Sequence, residues 1–186
     1  MITDALVAFI PIGAPLSLVG GSGITFRSGI VDLLGQGVGT APANIIGNRT
    51  IFGTDLGIGG KRPELNVTIG TALAAAAGTT LKAALQIAQD QGAGGNYQPG
   101  AWQDLISQDG ITLTQGAAGT VILRVPWIPQ LPANFGARYM SLLFSPQLAS
   151  ITPNGDFTAG TIASALVTNV RDDQANKFAA GNFTVA

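Results

Sequence analysis

Apolar residues along this chain recur mostly at every second position, the period of a strand with one face turned inward. Leu65, Val67 and Ile69 alternate with Asn66 and Thr68, and Ile111 and Leu113 with Thr112 and Thr114. Val121, Leu123 and Val125 alternate with Ile122 and Arg124, and Met140, Leu142 and Phe144 stand opposite Tyr139, Ser141 and Leu143. Ile162, Ser164 and Leu166 alternate with Ala163 and Ala165. Turn signals separate these runs: Asp109 and Gly110, the glycines at Gly116 and Gly119, residues 132–136, and Asn154 followed by Gly155. Many short strands punctuated in this way predict an all-β sandwich or barrel.

Residues 71–91 argue back, because Ala, Leu, Lys and Gln are good helix formers. As a helix the segment puts Leu81, Leu85 and Ala88 on one face. As a strand it sends Leu81, Ala83, Leu85 and Ile87 inward and Lys82, Ala84 and Gln86 outward. A strand over about 80–89 fits the all-β surroundings, with a short helix over 72–77 left as an alternative. Glycine is dense in the first sixty or so residues, from Gly20 to Gly60, with short apolar pieces at 16–19, 24–26 and 30–34. Glycine loses much conformational freedom on ordering. The segment therefore reads as strands joined by long loops, or as an arm lying on a neighbour.

Charge sharpens the picture. Asp, Glu, Lys and Arg make up 10% of the chain and the net charge is −1, against about 25% charged residues in ordinary soluble domains. A surface so poor in ions can be covered by a neighbour with little cost of stripping water from charges. Nine Lys and Arg against ten acids do not form the basic stripe that nucleic acid requires. The apolar stretch 5–20 lacks a positive start and is broken by Pro11 and Pro15, so it matches neither a secretory signal nor a membrane span.

Catalytic chemistry finds few candidates. The chain has no His and no Cys, which removes the commonest general base, the thiol nucleophile and the usual metal ligands. Residues 57–62 (Gly-Ile-Gly-Gly-Lys-Arg) suggest a phosphate loop. Asp55 stands where the first glycine belongs, however, and Arg62 where Ser or Thr should hold magnesium. A turn entering a strand is the better reading. Glu64 is the sole glutamate, and Asp104 and Asp109 near Trp102 read more readily as turn carboxylates bonding their own backbone than as a glycosidase pair. No catalytic residue, cofactor or metal ligand is assigned, and the chain reads as a non-enzyme. Trp127, Ile128 and Leu131 lie in an apolar loop whose prolines forbid a central strand; the loop either folds back on the core or meets a partner. With Phe26 and Ile30 of the Gly-rich segment, they form the expected partner contact.

Four stretches resemble a known family, the small jelly-roll capsid cement (decoration) proteins of tailed bacteriophages, of the type seen on a Bordetella phage. They are the Gly-rich turn 55–60 running into 63–67, the strand 80–88 with its polar loop leading to Trp102, the Arg-Tyr-Met-Ser-Leu run 138–142, and 157–167. The likeness covers roughly residues 50–173. It implies a jelly-roll-like β-sandwich without cofactor. It also implies a homotrimer on the exterior of the virion capsid, bound to the major capsid protein, with no direct nucleic-acid or membrane contact and synthesis in the host cytoplasm. The expected organisation is an N-terminal arm with extra strands over 1–50, the sandwich over 51–173 and a C-terminal tail over 174–186. The rival expectation is a carbohydrate-binding sandwich module or tail-fibre component using Trp102 or Trp127.

Overall fold

The computed structural model describes residues 3–21, 23–33, 36–40, 50–52, 63–92, 98–126, 136–148 and 156–169. Among them there is no helix. The strands are β1 (Thr3–Ile10), β2 (Leu16–Ser17), β3 (Phe26–Arg27), β4 (Val31–Asp32), β5 (Gln36–Thr40), β6 (Thr50–Phe52) and β7 (Pro63–Ile69). They continue with β8 (Ala74–Ala75), β9 (Thr79–Asp90), β10 (Pro99–Ile111), β11 (Val121–Pro126), β12 (Ala137–Leu148), β13 (Phe157–Ala159) and β14 (Thr161–Asn169).

Two antiparallel sheets carry the architecture. The first runs β1-β14-β7-β11, with β2 also on β14; the second runs β10-β9-β12-β3, with β4 also on β12. Each sheet turns one face to a shared core. Leu65, Val67, Leu123, Val125 and Val167 come from the first; Leu81, Leu85, Ile87, Leu142 and Phe144 come from the second. The result is a β-sandwich, the packing that period-two patterning favours. The pairing is nested: β1 with β14, β3 and β4 with β12, β7 with β11, and β9 with β10. Small pairs β8–β13 and β5–β6 complete the described strands.

Several expectations meet the structure directly. The ambiguous segment 71–91 contains a strand over Thr79–Asp90, with Leu81, Ala83, Leu85 and Ile87 in the core. The alternative helix over 72–77 is absent. Ala74–Ala75 is a short strand there, and the chain turns at Gly78 with φ +86°. Asp109 and Gly110 do not end a strand. They lie inside β10, where the pairing with β9 shifts between Gln108 and Ile111 and Gly110 takes φ +70°. That geometry is a bulge, which needs a residue tolerant of positive φ. Leu113 lies beyond β10, in a turn where the Thr112 N–H donates to the Gln115 side chain at 2.9 Å. Two further bulges flip predicted faces. Val121 is 42% exposed while Ile122 and Leu123 are buried. After Ile162 the inward positions are Ala165 and Val167 rather than Ser164 and Leu166.

The N-terminal segment is built into the sandwich. β1 and β2 extend the first sheet and β3 and β4 the second, and Phe9, Ile10, Leu18 and Val31 enter the shared core. Residues 57–62, the turns at 132–135 and 154–155, and the tail 174–186 lie outside the described residues.

Candidate interaction surface

The outer face of the second sheet concentrates the charges. Gln86 and Ser141 sit side by side on β9 and β12, and Asp104 lies next to Gln86 on β10. Because Leu85 and Ile87 point into the core, strand alternation sends Gln86 the other way. Gln86 is nevertheless only 6% exposed, because neighbouring side chains lie over it. Arg27 Nη2 donates to Gln86 Oε1 at 2.7 Å, and Gln86 Nε2 donates to Asp104 Oδ1 at 2.6 Å. Asp104 also faces Lys82 Nζ at 2.7 Å, and Asp109 lies 3.9 Å from the same ammonium. The Arg27 guanidinium stacks on the Trp102 ring at 4.3 Å, a favourable cation–π placement. At the far end of β12, Arg138 Nε and Nη2 donate to both oxygens of Asp32 at 3.0 and 2.9 Å, and Nη1 donates to Asp90 at 2.8 Å.

These contacts set the ionisation of the face. Partial burial pushes the Asp104 carboxyl up, but the hydrogen bonds from Gln86 and Lys82 and the charges of Lys82 and Arg27 outweigh it and hold it below its ordinary range. The Asp90 carboxyl is held down first by the backbone N–H of Gly92, and further by Gln98 and Arg138. The bond to Asp104 raises the Lys82 ammonium, and the Asp32 bond raises Arg138. Partial burial lowers Arg27 despite the Asp104 charge. All stay charged near neutrality, so none is a proton-transfer group poised at working pH.

The outer face of the first sheet is the opposite case. Among the described side chains its charged pair is Arg124 and Glu64, 3.5 Å apart, and Arg124 also donates to Asn66 Oδ1 at 3.1 Å. The rest of that face presents Asn66, Thr68 and Ser164, with Leu166 buried among them and Val121 at its β11 edge. A shallow hollow of about 310 Å³ lies beside this edge, lined by Gln108, Ile111, Gln115, Val121 and Ile122.

Of the expected partner contacts, Trp127, Ile128 and Leu131 lie outside the described residues. Phe26 is half-buried against the core, and Ile30 is 49% exposed. Val19 and Ile24, which belong to the short apolar pieces of the Gly-rich segment, are also exposed, as is Ile12, whose place between Pro11 and Gly13 gives no apolar pattern. Among the described residues no group of His, Cys, Asp or Glu is arranged to hold a metal ion, and no helix is long and apolar enough to cross a membrane. No protein-family model matches the chain, and no curated protein matches it in sequence.

Proposed function

We propose that the chain is a structural virion protein, a capsid cement or decoration subunit that trimerises on a tailed-phage head and braces its major capsid proteins. The observation that carries this reading is the position of the four stretches that resemble the cement family. Within the described residues, 63–67 fall on β7, 80–88 on β9, 138–142 on β12 and 157–167 on β13–β14, and β7–β14 and β9–β12 are the central pairs of the two sheets. These parts of the likeness belong to the framework of the sandwich. We read the nested pairing as a jelly roll, a double sheet common in viral capsid and lectin domains. Placing most described charges in mutually neutralised contacts on one face leaves the other face cheap to cover.

The role is mechanical. A head under internal pressure loads its capsomer junctions, and a subunit bridging them adds buried area where it is needed. A standard contact of ~1,600 Å² at ~25 cal/mol per Å² amounts to tens of kcal/mol gross, of which association costs leave a fraction. A trimer holding several capsid subunits multiplies that fraction. Purified protein is expected to run as a trimer in light scattering and to bind expanded heads but not immature ones. A monomer without affinity for heads refutes the reading. The rival reading as a sugar-binding module is weakened at Trp102, because Arg27 occupies one of the ring faces on which a sugar would stack.

A further inference from the structure

Residues 26–33 are fastened to the second sheet by two short, separate strand pairs. β12 pairs with β9 along its whole length, whereas the N-terminal segment forms strand pairs with β12 at two short places, Phe26 and Arg27 facing Phe144 and Leu143, and Val31 and Asp32 facing Met140 and Tyr139, with the Leu33 N–H also donating to the Arg138 carbonyl at 2.8 Å. Between these points Ser28 exchanges bonds with the Leu142 backbone: its N–H donates to the Leu142 carbonyl at 3.0 Å, and its hydroxyl accepts from the Leu142 N–H at 2.9 Å. Gly29 and Ile30 are exposed. The apolar anchors are Val31, buried, and Phe26 and Leu33, half-buried against the core.

Ionic side chains make up for this sparse pairing, one set at each end. Arg27 crosses over β12 to Gln86 on β9 and to Trp102 on β10. Asp32 is gripped at both oxygens by Arg138, which is anchored in turn on Asp90 at the end of β9. We propose that residues 26–33 form an ion-clamped strap that opens as a unit of its own, leaving β12 as a free edge while the rest of the sandwich stays folded. Segments with few buried apolar contacts open below the global unfolding energy. Here the clamps decide how far below.

The groups facing the strap's Arg27 and Asp32 are Lys82, Gln86 and Asp90 on β9, Asp104 and Asp109 on β10, and Arg138 and Tyr139 on β12. Protonating the carboxylates or screening the charges therefore weakens the clamps without touching Val31 or the core. Hydrogen exchange read by mass spectrometry on the full chain tests the strap. The amides of Ser28, Gly29 and Leu33, which donate to Leu142, Phe9 and Arg138, report on it, and those of 81–87 report on β9. At neutral pH the strap is expected to exchange at least about tenfold faster than β9, a gap of 1.4 kcal/mol or more. Raising NaCl from about 0.05 to about 1 M, which shortens the screening length several-fold, should widen the gap. Arg138→Met should accelerate the strap about tenfold further with β9 unchanged. If that variant does not fold, the wild-type salt comparison decides alone. Equal rates for strap and β9, or a strap indifferent to salt, overturn the proposal.

Discussion

Replacing Gln86 by Leu tests whether the polar chain on the second sheet stabilises the fold or merely decorates it. Leu has similar volume and suits a β-strand, so shape and backbone are largely kept. What is lost is the link between Arg27 at 2.7 Å and Asp104 at 2.6 Å. Hydrogen bonds to charged groups contribute about 1.5–3 kcal/mol each. Arg27 and Asp104 are partly exposed and recover some hydration, and the buried Leu returns some apolar transfer energy, so the expected net loss is about 2–3 kcal/mol. For a chain of this size each kcal/mol moves the melting temperature by about 2–4 °C, which gives a fall of about 4–12 °C. Urea melts of Gln86→Leu beside the exposed control Gln108→Leu supply the assay, with the midpoint shifting and the slope constant. If Gln86→Leu stays within about 0.5 kcal/mol of wild type, as surface changes do, water fully replaces the lost bonds and the reasoning is wrong.

Leu85→Ala opens a cavity at a side chain 0% exposed and should cost about 3–5 kcal/mol by denaturant titration. Gly160 has φ +149°, and an added Cβ would meet Leu73 Cδ2 at 2.7 Å; Gly160→Ala should therefore lose about 1–3 kcal/mol in the same titration. Asp90 and Asp104 are held below their ordinary range, so the unfolded chain binds protons more readily at these sites. Their contribution is full above about pH 4 and disappears as pH falls through the folded values, so melts stepped downward from pH 5 should show stability declining there. If the proposed function holds, Thr68→Lys, which adds a charge to the ion-poor face, should leave the melting temperature nearly unchanged while abolishing binding to expanded heads in a sedimentation assay.

The strands were legible where one face met the core and the other met polar neighbours, as at Leu65, Val67 and Ile69. β9 was harder because Ala84, Gln86 and Ala88 are buried on its second face as well, so neither period nor propensity separated strand from helix. β10 escaped reading because its pairing shifts between Asp104 and Ile106, and Leu105 and Ile106 both pack against the core in succession. A bulge erases the alternation on which such reading depends. The polar chain was invisible for a different reason. Arg27, Gln86 and Asp104 are far apart in sequence and meet only because β3, β9 and β10 belong to one sheet. The sequence offers Trp102 as a sugar platform, yet its neighbour Arg27 carries no local signal of a stacking role.

The nested pairing also dictates an order of assembly. The β9–β10 hairpin closes over a short loop, whereas Ala8 must find Leu166 across nearly the whole sandwich. Loop-closure entropy makes such distant joins slow. A ribosome must release β14 before the first sheet can form, so the nascent chain holds half a core exposed until then. That interval is when partner chains or chaperones compete for the unfinished sheet.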